Sequence, residues 1–229
     1  MKKIGILITG HVREELVEAY GEYGGFFEKL IGSDGFEFQD YFVVDQKFPE
    51  NVNECDAYVL SGSAHGAYED HAFIPPLEEF IRDAYAANVP LVGICFGHQI
   101  MAQALGGKVV KFDGGWGLGV HDYEIDLGNG PEPIRINAVH QDQVVELPKD
   151  AKIIGSSPFC ENAAIAYENK AISFQPHPEF GPDFMNDLIE VRRGLTFSDE
   201  LSNEAIGTLG TSLDNDRIAA YIRDFLKAK

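Results

Sequence analysis

Pro90-Leu91-Val92-Gly93-Ile94-Cys95-Phe96-Gly97-His98-Gln99-Ile100 decides how this chain is read. Leu91, Val92 and Ile94 form a short apolar run behind Pro90, the pattern of a strand buried on both faces of a parallel sheet. Residues 98–105 then predict a helix, stopped by Gly106-Gly107. No loop fits between the two, so Cys95 must sit on an abrupt strand-to-helix turn. Gly93 and Gly97, two residues to either side, remove the side chains that would obstruct that reversal. A thiol presented in this way is the cysteine form of a nucleophile elbow, and a helix start favours a thiolate through its dipole and free N–H groups.

Outward from the elbow, the N-terminal part alternates strand and helix. Residues 3–9 read as a strand and residues 13–31 as a helix interrupted by Gly21 and Gly24-Gly25. Residues 36–44 and 57–60 are strands, the second running into Ser61-Gly62-Ser63. Residues 74–87 carry Leu77, Phe80, Ile81 and Ala84 at the helical period. Such alternation predicts crossover units on a mainly parallel sheet, where ligands lie beyond the carboxyl ends of the strands. Ser61-Gly62-Ser63 and Cys95 both fall at such ends.

After Gly107 the apolar period drops to two. Residues 108–111, 119–127, 134–139, 144–147, 152–156, 163–167 and 171–175 predict short strands, the smaller antiparallel region of the fold. Residues 184–194, 201–209 and 214–227 read as helices, the last with Ile218, Ala219, Ile222, Phe225 and Leu226 on one stripe. With no linker or repeat, the expectation is one α/β domain over residues 1–229, three-layered, closed by a helical segment at 181–229.

Composition narrows the partners. The 37 acidic and 18 basic residues give a formal charge of −19, which argues against nucleic acid or an anionic membrane surface. Cys55, Cys95 and Cys160 are odd in number and none pairs at metal-ligand spacing, the usage of a reducing cytoplasm. The apolar run at residues 4–8 is too short for a signal or membrane segment. No metal, cofactor, phosphate loop or dinucleotide fingerprint is expected.

A thiol nucleophile needs a base, and the base needs an orienting acceptor. Gln175-Pro176-His177-Pro178-Glu179 supplies both, because the prolines favour an extended backbone on which residues two apart point the same way. His177 faces Cys95 if the strand ending at Gln175 lies beside the elbow strand.

These stretches, with Ala104-Leu105-Gly106-Gly107-Lys108-Val109 and His140-Gln141-Asp142, resemble the class I glutamine amidotransferases in order and over roughly residues 3–190. His177 lies 82 residues after Cys95, a spacing that suits that family. The resemblance implies the family's flavodoxin-like fold and a catalytic triad of Cys95, His177 and Glu179. It implies an oxyanion hole built from the N–H groups of Phe96 and of Gly62 or Ser63. Gln99 matches a glutamine that holds the substrate's amino-acid end, and His140 and Asp142 match substrate or gate residues. The implied reaction releases ammonia from glutamine through a γ-glutamyl thioester, for a separate synthetase chain.

The sequence departs from the synthetase-linked members at Ser61-Gly62-Ser63, where they carry Ser-Gly-Gly-Pro. Tyr68-Glu69-Asp70 and Gly115-Trp116-Gly117-Leu118-Gly119-Val120 resemble stand-alone relatives, among them plant γ-glutamyl peptidases. A free-standing γ-glutamyl peptidase is therefore the second expectation. A redox-sensing relative using only the elbow cysteine is the third, and it has no need of His177 and Glu179. His98 is read as structural, and His11, His65, His71 and His121 as non-catalytic.

Overall fold

The computed structural model describes residues 1–228. In chain order the elements are β1 (Lys2–Leu7), α1 (Glu14–Tyr20), α2 (Tyr23–Ile31), β2 (Phe36–Tyr41), β3 (Ala57–Leu60), α3 (Ile74–Ala86), β4 (Leu91–Ile94) and α4 (Phe96–Ala104). Then come β5 (Lys108–Lys111), β6 (Gly117–Asp126), β7 (Pro131–His140), β8 (Asp142–Glu146), β9 (Ala151–Ser156), β10 (Ala164–Tyr167) and β11 (Ala171–Phe174). The chain continues through α5 (Pro182–Arg192), α6 (Asp199–Thr208) and α7 (Asn215–Lys227).

Nine strands form one sheet in the order β2-β1-β3-β4-β11-β10-β9-β6-β7, while β5 and β8 make a separate antiparallel pair. β2, β1, β3, β4 and β11 run parallel, so the mainly parallel core expected from strand–helix alternation is present. Most of the period-two strands do not make a sheet of their own. They extend the parallel sheet antiparallel from β11 outward, through β10, β9, β6 and β7.

Helices cover both faces. On one, α3 and α4 bring Leu77, Ile81, Ile100 and Met101 onto Leu7, Leu60 and Leu91. On the other, Phe27 and Ile31 of α2 meet Ile218, Ile222 and Leu226 of α7 over Ile4, Ile6 and Val59. Every side chain of β3 and β4 is buried, which accounts for their unbroken apolar sequence. A third cluster, around Phe180, Phe184, Met185 and Phe197, seats α5 and α6 against α1.

Residues 13–31 form two helices rather than one interrupted helix. Gly21 breaks them with a φ of 75°, whereas Gly24-Gly25 lies inside α2. Gly24 is tolerated there because it presses on the Asp40 carboxylate, where a Cβ would not fit. β2 stops at Tyr41, and Val43–Asp45 is a short 3-10 turn.

Candidate active site

Parallel pairing of β4 with β11 places Ile94 opposite Phe174, so the strands' carboxyl ends carry Cys95 and Gln175 side by side. The Cys95 N–H donates to the Phe174 carbonyl at 2.8 Å, tying the nucleophile candidate to the neighbouring strand. One residue later the chain is already helical. Cys95 takes φ 53° and ψ −103°, a conformation costly for an L-residue, and it caps the start of α4. The turn closes this tightly because Gly93 and Gly97 lack side chains. A Cβ on Gly93 would lie 2.6 Å from the Gly97 carbonyl oxygen, and one on Gly97 would collide with the carbonyl oxygen of Leu60. The Gly97 N–H instead donates to the Ser61 carbonyl at 3.1 Å, which brings the loop after β3 against the elbow.

His177 reaches the same place from beyond β11. Its backbone N–H donates to Asn137 O at 2.8 Å, and its ring lies flat on Phe180, centroids 4.2 Å apart at 6°. Nδ1 is 2.7 Å from Oε1 of Glu179, and both side chains are almost wholly buried. Nε2 has no partner of hydrogen-bonding geometry, although the Cys95 thiol is near enough to act on the ring. Burial alone would lower the imidazole's pKa. The Glu179 carboxylate and Cys95 override it and raise the value to about 10, which favours the imidazolium. Gly62 leaves room for this ring: a Cβ there would come within 2.9 Å of Cε1.

The structure thus brings Cys95, His177, Glu179, Gly62, Ser63 and Phe96 together. Phe96 opens α4, so its N–H is among those a helix start leaves without an intrahelical acceptor. Gly62 and Ser63 follow β3 after Ser61, and a Cβ on Gly62 would lie 3.7 Å from that of Cys95. Donors at these positions suit an oxyanion.

Gln99, His140 and Asp142 line a cavity of about 150 Å³ that opens on Cys95. Gln99 is less free than its sequence position implies. Its amide nitrogen donates to Asp142 O at 2.9 Å and to Gln175 Oε1 at 3.1 Å, so only its carbonyl remains to offer. His140 is buried, with its pKa pushed down to about 3, and is neutral there. The Asp142 carboxyl, raised by burial, accepts from Tyr68 Oη at 3.1 Å. His98 is fully enclosed, its Nδ1 2.8 Å from Ser173 Oγ and its pKa pushed down to about 3 by burial.

Two features escaped the sequence. His65, Glu69 and His71 bring one possible ligand atom each to within 4.8 Å of one another at the cavity rim, where His71 pairs with Glu69 at 2.7 Å. Arg192, at the end of α5, lines both this cavity and a second of about 300 Å³ that includes Cys95 and His177. No motif marks it. Its only signal is a cation at the end of an apolar helical stripe.

Among the described residues no helix is long and apolar enough to cross a membrane. A family model described as glutamine amidotransferase class-I matches residues 34–190. Gamma-glutamyl peptidase 4 of Arabidopsis thaliana is 33% identical over 208 residues, covering 82% of this chain and 80% of that protein. A glutamine-hydrolyzing GMP synthase subunit of Archaeoglobus fulgidus is 30% identical over 184 residues, or 75% and 94% of the two chains. A glutamine amido transferase structure from Methylobacillus flagellatus superposes with a TM-score of 0.79 at 21% identity, covering 100% of this chain and 95% of that one.

Proposed function

Since this chain belongs to the class I glutamine amidotransferases, we propose that it hydrolyses a γ-glutamyl amide, with Cys95 as nucleophile, His177 as base and Glu179 as the acceptor that orients it. One observation carries this reading: a cysteine on a strained strand-to-helix turn lies beside a buried His177–Glu179 pair whose free ring nitrogen is Nε2.

In this mechanism the Cys95 proton already lies on His177 Nε2, and the sulfur attacks the amide carbon. The carbonyl oxygen becomes an oxyanion, held by the N–H of Phe96 and that of Gly62 or Ser63. As the tetrahedral adduct collapses, the carbon–nitrogen bond breaks and His177 returns the proton to the leaving nitrogen. Water then gives a proton to His177 and its oxygen to the thioester, releasing the γ-carboxylate and restoring the thiol. Glu179 holds Nδ1–H, so Nε2 is the nitrogen that moves protons.

The smaller cavity suits the glutamyl end. Glu69 and Asp142 lie there for an α-ammonium and Lys111 for an α-carboxylate, with Gln99 and His140 in the wall. Glutamine would yield ammonia for a separate acceptor-bearing chain, as with the GMP synthase relative it resembles. Three unpaired, buried cysteines suit a reducing compartment such as the cytoplasm.

The test is steady-state release of glutamate and ammonia from L-glutamine, beside γ-glutamyl dipeptides and glutathione, on wild type and Cys95→Ala. Cys95-dependent turnover of any of these, with a γ-glutamyl adduct on residue 95 in quenched samples, is the expected result. Turnover that survives Cys95→Ala overturns the reading.

A further inference from the structure

Cys95 lines two adjoining cavities that differ in charge and meet at Arg192. The smaller mixes charges, with Glu69 and Asp142 against Lys111 and the Arg192 that it shares with the larger. The larger, about 300 Å³, is lined by His11, Arg13 and Arg192 and by no carboxylate. In a chain with 37 acidic and 18 basic residues, an acid-free pocket beside the nucleophile is a strong local reversal.

The position of His177 assigns the two. It lines the larger cavity and not the smaller. The leaving nitrogen takes its proton from His177, so the leaving group must lie on that side and the glutamyl part on the other. Ammonia is about the size of water, whose share of liquid volume is about 30 Å³. The larger cavity is built for something bigger.

Arg192 indicates what. Its guanidinium packs on the Phe197 ring at 4.8 Å and the Trp116 ring at 5.4 Å, which fixes it in place. Among the described residues its side chain has no ion pair and no hydrogen bond. Nearby arginines are engaged: Arg193 with Glu190 at 2.8 Å and Arg13 with Glu15 at 3.0 Å. A half-buried, immobilised guanidinium without an anion is a carboxylate receptor awaiting its ligand.

Resting on the Cys95 reading above, we propose that Arg192, with Arg13 beside it, binds a carboxylate carried by the leaving amine, so that the preferred substrate is a γ-glutamyl peptide with a free C-terminus one or two residues beyond the scissile amide. The carbon–nitrogen bond breaks as before, and the departing peptide amine takes the His177 proton in place of ammonia.

The experiment compares kcat/KM for a γ-glutamyl dipeptide with that for its C-terminal amide, in wild type, Arg192→Gln, Arg192→Lys and Arg13→Gln. Wild type should favour the free acid about tenfold or more, the worth of a charge-assisted hydrogen bond. That ratio should fall toward one in Arg192→Gln, mainly through KM, and be largely kept in Arg192→Lys. Arg13→Gln, a change at an exposed side chain, should lower it by a smaller factor. A wild-type ratio near one, a ratio unmoved by Arg192→Gln, or cleavage of glutamine alone overturns the inference. If no substrate leaves a γ-glutamyl thioester on Cys95, the underlying reading falls first. If acid and amide both form it equally well, only the carboxylate site falls.

Discussion

At Cys95 the chain accepts φ 53° and ψ −103° at a non-glycine residue, a local strain that the surrounding turn must hold in place. Nothing in the packing requires a thiol there, so replacing it should remove chemistry and spare the fold. Cys95→Ala is expected to leave below about 1% of turnover with an unchanged melting temperature. His177→Asn should do nearly the same, and Glu179→Gln should be milder because it disturbs orientation rather than the reacting atoms. On the function proposed above, Glu179 also sets the pH range. It helps raise His177 to about 10 from its ordinary 6.5, so the alkaline limb of the kcat/KM profile should move to lower pH in Glu179→Gln. An unmoved limb would mean that Glu179 does not govern the His177 proton that goes to the leaving nitrogen. The same raised value makes this group's contribution to stability complete below about pH 6.5 and lost as pH rises toward 10.

At the level of elements, the turn between β4 and α4 depends on close backbone approach. Gly97→Ala would force its Cβ into the Leu60 carbonyl, and overpacking of that kind costs roughly 1–3 kcal/mol. In a protein of this size that lowers Tm by about 2–12 °C, and the displaced α4 start should lose activity out of proportion, as paired melting and turnover measurements would show. Most of this region was legible in advance, since Gly-x-Cys-x-Gly after an apolar run admits few backbones. The extended Gln175–Glu179 segment was legible for the same reason: proline leaves little freedom beside it. Other features depend on distant partners and escaped. Gly24-Gly25 reads as a helix break, yet α2 runs through it, with Gly24 where the Asp40 carboxylate leaves no room for a Cβ. Alternation revealed the later strands but not that β9 would join β10 to β6, since pairing order depends on contacts far apart in sequence. Arg192 escaped because its meaning comes from two cavities that no local pattern describes.

For the whole molecule, the two ends of the chain share one support. Ile218, Ile222 and Leu226 of α7 are almost completely buried against α2 and β1, and Lys2 Nζ donates to the Leu226 carbonyl at 3.0 Å. Burying such side chains is worth about 1.5–3 kcal/mol each, or about 5–9 kcal/mol together, comparable with the whole stability of a typical domain. Removing residues from 215 onward should therefore give an insoluble or unfolded chain. A cooperative melt from that truncation would show that α7 is dispensable. The pairing of β4 with β11 has a temporal consequence. Cys95 leaves the ribosome long before the segment bearing His177, and the intervening residues must fold back across the sheet before the two meet. A nascent or half-folded chain thus carries Cys95 apart from His177, and on the function proposed above hydrolytic competence arrives only with the closing of that long-range contact.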